Sequence, residues 1–161
     1  MSTPNLNVGD GGPAESPDAP GGRKNVREST VVKITRFEDL EAWKRARKLV
    51  LAVYRAAEGA ELKADGYLCE QLRRSALTVL GLIAEGFESG DREQFLYALS
   101  QARGAAGEIR AQLYVAADLG YISEAEHRVL SALAIDTTHM ITHLARRLRH
   151  NAGAAASQNQ A

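Results

Sequence analysis

The fold is decided by residues 91–117, whose sequence is DREQFLYALSQARGAAGEIRAQLYVAA. Apolar residues recur in this stretch at spacings of three and four, which is typical of the core-facing stripe of an amphipathic α-helix. The core stripe consists of Phe95, Leu99, Ala102, Ala106, Ile109, Leu113 and Ala116. A second stripe lies about half a turn away and consists of Leu96, Tyr97, Ser100, Gly104, Gly107, Ala111, Tyr114 and Val115. The stretch therefore predicts a helix that buries two faces.

Two glycines indicate the role of the second stripe. Gly104 and Gly107 lie inside the predicted helix, where each glycine costs about 1 kcal/mol relative to alanine. Small residues on one helix face allow the backbone of another helix to come close. One small domain rarely supplies enough neighbours to cover both sides of a helix. We therefore expect the second stripe to be an interface between copies of this chain.

Composition limits the class of protein. The 161 residues, 45% of them hydrophobic, suffice for one core of ordinary size. Twenty basic residues balance 20 acidic ones, so no overall positive field favours nucleic acid. The single cysteine, Cys69, excludes an intramolecular disulfide and a cysteine-clustered zinc site, and it fits a reducing cytoplasm. No apolar run approaches the roughly 20 residues that span a membrane, so we expect a soluble protein with no membrane partner.

The chain divides into three segments by composition. Residues 1–29 hold all four prolines and few large apolar side chains, which predicts a disordered N-terminal arm. Residues 30–150 form the predicted folded domain. Residues 151–161 are small and polar, which predicts a short flexible tail.

Four helices are predicted within the folded domain. The first covers about residues 36–58, with Thr35 and Glu38 as a capping box, and the second ends near Glu85, with Gly86 as its C-terminal cap. The third covers 91–117 and the fourth about 124–149, opened by the capping box of Ser123 and Glu126. Short connections favour antiparallel neighbours. The sequence thus predicts an all-α, up-down-up-down four-helix bundle.

A basic strip on the first helix is the candidate nucleic-acid surface. Its residues, with one arginine from the second helix, are Lys44, Arg45, Lys48, Arg55 and Arg74. Such a strip can follow phosphates, although most basic strips are simply solvated. Arg73 and Arg74 fit an ion pair between subunits equally well.

No residue set predicts catalysis, a metal site or a cofactor. Glu124 and His127 make one Glu-x-x-His, whereas di-iron bundles use two copies of that motif. His139 and His143 lie one turn apart on a polar face, where a surface pair is the simpler interpretation. Cys69 falls on a core stripe, which favours a buried, inert thiol.

Four separated motifs resemble a known family. They are residues 37–43 (FEDLEAW), 71–76 (QLRRSA), 83–87 (IAEGF) and 118–123 (DLGYIS). In this order they resemble the small bacterial four-helix-bundle proteins encoded within intervening sequences of large-subunit ribosomal RNA genes. The resemblance spans about Phe37 to Leu148. It departs in the second helix, where the family often has proline and then asparagine and this chain has Leu80 and Leu82.

The resemblance implies a homopentamer, built as a barrel of five bundles, and implies no established enzymatic activity. A relative of that family, the accessory variability determinant of diversity-generating retroelements, works with a reverse transcriptase and RNA. That relative is typically basic, whereas this chain is neutral. Two hypotheses follow. The chain is a non-catalytic, self-assembling scaffold or adaptor, or it is a nucleic-acid-binding accessory factor that acts on RNA or DNA with a reverse transcriptase.

Overall fold

The described part of the chain is helical. The structure, a computed structural model, describes residues 34–158. After a 3-10 turn at Phe37–Asp39, the helices are α1 (Glu41–Ala56), α2 (Ala60–Ala64), α3 (Gly66–Glu88), α4 (Arg92–Asp118) and α5 (Glu124–Gln158). No strand occurs within these residues. The predicted all-α class is confirmed. The predicted N-terminal arm, residues 1–29, lies outside the described residues.

The four long helices share one apolar core. Helix α3 packs against α1 and α4, and α5 packs against α4 and α1, while the short α2 packs against α3. The largest fully buried side chains come from all five helices: Leu49, Val53, Leu62, Leu72, Val79, Ile83, Leu99, Ile109, Leu113, Thr137 and Ile141. Burial of this kind stabilises the fold by about 25 cal/mol per Å² of apolar surface.

Three helix ends carry local capping features, and the capping box predicted for Ser123 and Glu126 is confirmed. The backbone N–H of Gln94 donates to the Asp91 carboxylate at 2.7 Å, which caps the start of α4. Gly120 has a φ of 73° after the end of α4, a conformation that glycine adopts without strain. At the start of α5, the Ser123 N–H donates to the Glu126 carboxylate at 2.8 Å and the Glu126 N–H donates to the Ser123 hydroxyl at 3.2 Å. That reciprocal pair is a capping box.

The predicted start of the first helix is wrong. Thr35 and Glu38 form no capping box; Glu38 instead pairs with Arg36 at 3.0 Å. Leu40 has an extended backbone, with φ −68° and ψ 125°, so the 3-10 turn and α1 are separate and α1 begins at Glu41. Burial of the Leu40 side chain in the core accompanies this break. Tertiary packing thus overrides the local capping signal.

The predicted role of Gly86 is also wrong. Helix α3 continues past it to Glu88, and Gly86 is buried within the helix. A Cβ added at Gly86 would lie 2.7 Å from the Ala98 Cβ and 2.8 Å from a ring carbon of Phe95, both on α4. Gly86 therefore allows α3 and α4 to approach closely and does not end a helix.

Two further boundaries differ from prediction. Helix α5 continues to Gln158, beyond the predicted end near residue 149 and into the segment that we assigned to a tail. Alanines are frequent in residues 152–156, and alanine is the strongest helix former. The connection between the first two predicted helices contains α2, whose Leu62 is buried. Five residues are too few for a periodic signal in the sequence.

Candidate interaction surfaces

The core stripe predicted for α4 is confirmed. All seven of its residues are buried: Phe95, Leu99, Ala102, Ala106, Ile109, Leu113 and Ala116. Ala98 and Ala105 are buried beside them. The inner face of α4 is thus buried in the core of its own chain.

The second stripe faces outward, and we call its residues the outer face of α4. Seven of the eight predicted interface residues are exposed and Leu96 is partly buried; the exposed seven are Tyr97, Ser100, Gly104, Gly107, Ala111, Tyr114 and Val115. A Cβ added at Gly104 or Gly107 would have nothing outside the helix within 4 Å. Neither glycine is therefore required by packing within the described part of this chain.

Tyrosines mark both ends of the outer face. Tyr97 is 69% exposed near the start of α4 and Tyr114 is 56% exposed near its end. The Tyr114 ring lies against His127 of α5, with 4.6 Å between ring centroids. Large exposed aromatic rings are enriched at protein interfaces relative to other surfaces. The outer face thus combines small residues at its centre with aromatic anchors at its ends.

The basic strip on α1 is partly neutralised by neighbouring carboxylates. Lys44 donates to Glu41 at 2.9 Å. This hydrogen bond, helped by the charge of Lys44, holds the pKa of Glu41 below its ordinary value and raises the pKa of Lys44. Arg45 is partly buried and pairs with Asp136 of α5. Lys48 and Arg55 are exposed and form no ion pair within residues 34–150.

The two arginines of α3 have different surroundings. Arg73 is half-buried, pairs with Glu58 at 2.7 Å and lies over the Tyr54 ring at 5.3 Å from its centroid. It also donates to the backbone carbonyl of Ala57 at 3.5 Å, at the end of α1. Arg74 is exposed beside Leu77. Arg73 therefore connects α3 to α1 within the subunit, a contact that no local sequence pattern predicts.

The residues considered for metal binding are not brought together. Within residues 34–150, no three His, Cys, Asp or Glu side chains lie close enough to hold a metal ion. Glu124 pairs with Arg128 at 2.8 Å, whereas His127 contacts Tyr114 and the Ser131 hydroxyl. Cys69 is buried, as predicted, with its thiol 3.6 Å from the Ala57 carbonyl oxygen.

Residues 38–143 match the model of the 23S rRNA-intervening sequence protein family. The chain belongs to this family. The match covers well over half of the chain and confirms the resemblance carried by the four sequence motifs. No curated protein matches the chain.

The region that matches the family contains both candidate surfaces. It begins within the 3-10 turn, contains α1, α2, α3 and α4 whole, and ends within α5. The basic strip and the outer face of α4 therefore both lie in the part of the chain that the family shares. Among the described helices, none is long and apolar enough to cross a membrane.

Proposed function

We propose that this member of the 23S rRNA-intervening sequence protein family is a non-catalytic scaffold or adaptor that assembles with copies of itself. The observation that carries the proposal is the open outer face of α4. Gly104 and Gly107 each cost about 1 kcal/mol of helix stability, and an added Cβ at either position would meet no atom of the described residues within 4 Å. A second copy packed against this face would make use of both glycines. It would also cover the exposed Tyr97 and Tyr114.

Within each copy, we propose an antiparallel up-down-up-down arrangement of α1, α3, α4 and α5. The short connection between α3 and α4, and that between α4 and α5, join helices that pack against each other. Helices joined by so few residues normally lie antiparallel. The outer face of α4 would then run the length of one side of the bundle.

We propose a homopentamer, which is the assembly that the family resemblance implies. A homopentamer with cyclic symmetry repeats one interface five times, so a single face such as that of α4 must meet a surface of its neighbour. We also propose that the protein is cytoplasmic, because its single, buried cysteine suits a reducing compartment. No catalytic role is assigned to any residue.

Light scattering after size-exclusion chromatography tests the self-assembly. The single chain has a mass of 17.4 kDa, so a pentamer has a mass about five times larger. A defined assembly at micromolar concentration supports the proposal, and a stable monomer contradicts it. An assembly with another number of subunits supports self-association and contradicts the pentamer.

A second candidate function is that of a nucleic-acid-binding accessory factor that serves a reverse transcriptase. It is favoured by the exposed Lys48, Arg55 and Arg74, which form no ion pair among residues 34–150 and so remain able to bind phosphate. Each copy presents only a weak patch because Glu41 and Asp136 neutralise Lys44 and Arg45. Several copies in one assembly would strengthen binding through multivalency.

Titration with salt tests this second function. A fluorescent single-stranded RNA should bind at low salt and lose affinity steeply as salt rises, because phosphate contacts release counterions. Lys48→Glu should weaken RNA binding. Adding Glu61→Lys to this variant returns the net charge to that of the wild type, but the new lysine lies on the separate helix α2 and should not restore the affinity. If the wild-type assembly does not bind RNA or DNA at low salt, this function is wrong.

A further inference from the structure

Two exposed histidines lie on the same face of α5. His139 and His143 are four positions apart, which is close to one helical turn, and both are exposed to solvent. Side chains at this spacing are neighbours on the helix surface, with about 5–6 Å between their Cβ atoms. Their face is opposite the one that buries Thr137, Ile141 and Ala145. The two histidines therefore lie side by side on the outer surface of the bundle.

Both imidazole rings are available to a ligand. Within residues 34–150, neither ring forms a hydrogen bond, an ion pair or an aromatic contact. The hydroxyls of Thr138 and Thr142, next to the pair, donate to backbone carbonyls one turn earlier at 2.9 and 2.8 Å. The two rings can therefore turn so that one nitrogen of each meets the same ion, with no contact of the described residues lost.

The core holds the backbone beneath the pair in place. Helix α5 runs without a break from Glu124 to Gln158. Ile141, which lies between the two histidines in the sequence, is 1% exposed, and Thr137 is fully buried. Because the spacing of the two ligands is fixed before an ion arrives, binding does not have to order the helix. The pair is thus a preorganised chelate.

The two imidazoles select a class of ion. Imidazole nitrogen is a good ligand for Zn²⁺, Ni²⁺ and Cu²⁺, whereas Mg²⁺ and Ca²⁺ prefer oxygen ligands. Two histidines one turn apart on a helix are the pair that binds zinc in the His-Glu-x-x-His motif. Within residues 34–150, no group of three His, Cys, Asp or Glu could hold an ion, so the pair has no third protein ligand. Two positions of a tetrahedral zinc ion are then left for water.

Charged neighbours on α5 set the strength of such a site. Asp136 precedes the pair by about one turn, but Arg45 of α1 pairs with its carboxylate. Arg146 and Arg147 follow the pair by about one turn, are exposed, and form no ion pair within residues 34–150. Their positive charges oppose the approach of a divalent cation. We therefore expect binding that is weak enough for the ion to exchange with solvent.

We propose that His139 and His143 form a two-histidine site on α5 that binds one divalent transition-metal ion of the zinc, nickel and copper class. The ion is held within one chain, and water completes its coordination. The site lies on a different helix from the outer face of α4, so it does not depend on the self-assembly proposed above. Because the ion joins two side chains one turn apart in the folded helix, its binding also stabilises the folded chain.

Calorimetric titration of the untagged protein with zinc chloride tests the site. The wild type should bind one ion per chain, and His139→Gln and His143→Gln should each raise the dissociation constant at least about tenfold. An excess of Mg²⁺ should not compete. His150→Gln is the matched control, because His150 is exposed on the same face but lies about 10 Å along the helix from His143. That variant should bind zinc as the wild type does.

A charge change next to the pair sharpens the test. Arg146→Glu replaces a positive charge by a carboxylate one turn after His143, so it should lower the dissociation constant for zinc about tenfold. Arg149→Glu makes the same charge change on another face of α5 and should have a smaller effect.

Three results would overturn the site. They are absence of zinc binding at millimolar concentration, unchanged affinity in both glutamine variants at positions 139 and 143, and one ion for every two chains, which would mean that two copies share it. A wild type that is monomeric and still binds one ion per chain leaves this site standing and removes the proposed self-assembly.

Discussion

Gly86 and Gly104 are both glycines inside long helices, yet their surroundings are opposite. An added Cβ at Gly86 would overlap Ala98 and Phe95, whereas at Gly104 it would meet nothing within 4 Å. Packing of α3 against α4 therefore accounts for Gly86. No contact in the described part of the chain accounts for Gly104. The difference separates the residues that build the bundle from those that we assign to contacts between bundles.

The largest expected effect is on assembly. Gly104→Leu should raise the dissociation constant of the oligomer about 100-fold, or about 2.7 kcal/mol, because the leucine would hold two closely packed backbones apart. The fold should remain, since no atom of residues 34–158 lies within 4 Å of a Cβ added at this position. Sedimentation velocity over a concentration series measures the change.

Gly81 provides the matched control for this substitution. It is also exposed inside a long helix, α3, and a Cβ added there would meet no atom of the described residues within 4 Å. Gly81→Leu should leave the subunit number unchanged. If both leucine variants dissociate equally, or if Gly104→Leu assembles like the wild type, the distinction between the two kinds of glycine is lost.

The next largest effect is on folding. Gly86→Ala should lower the free energy of unfolding by about 2 kcal/mol, because the new methyl group must displace the Ala98 side chain and the Phe95 ring. Gly81→Ala should instead raise it by up to about 1 kcal/mol through helix propensity. Urea unfolding measures both at a fixed protein concentration. Equal stabilisation by the two alanines would show that α3 and α4 are not in close contact at Gly86.

The capping residue Ser123 lies neither at the contact between α3 and α4 near Gly86 nor on the outer face of α4. Its substitution should therefore change folding alone. Ser123→Ala removes the hydroxyl that accepts from the Glu126 N–H, and it should lower the free energy of unfolding by about 1 kcal/mol. The subunit number at a concentration well above the dissociation constant should not change. If the Ser123→Ala variant dissociates, general loss of stability is enough to disrupt the assembly. Dissociation of Gly104→Leu would then no longer show that Gly104 lies at a contact between bundles.

The smallest effect expected is a pH dependence from the same cap. Hydrogen bonds from Ser123 lower the pKa of Glu126 in the folded chain. A lowered folded pKa stabilises the fold above the unfolded value of about 4.3, and this stabilisation is lost as the pH falls through the folded pKa. Glu126→Gln should therefore be slightly less stable than the wild type at pH 7. The gap should close below about pH 4, which paired urea titrations can measure; a constant gap would contradict this cause.

Much of the fold could be predicted from the sequence because it depends on local periodicity. The α4 core stripe from Phe95 to Ala116 follows from spacings of three and four, and the Ser123 and Glu126 capping box lies within four residues. Gly86 was misassigned because glycine near a helix end favours a cap on local grounds. Its actual neighbours, Phe95 and Ala98, lie on the next helix.

The candidate sites also depend on contacts between residues that are distant in the sequence, which local patterns do not predict. Arg45 was placed in the basic strip, but its partner Asp136 lies 91 residues away along the chain, where no local pattern reveals it. Arg73 of α3 likewise contacts Tyr54 of α1 and Glu58 in the turn after α1. By contrast, the outward position of Gly104 follows directly from the helical period, since it is half a turn from the core stripe.

The mass of the wild-type particle in solution tests the central claim most directly. Sedimentation equilibrium at micromolar concentration should give a defined multiple of 17.4 kDa, about fivefold for the proposed pentamer. A particle of 17.4 kDa that stays constant across the concentration series would contradict the account, because the outer face of α4 would then have no second copy to cover it.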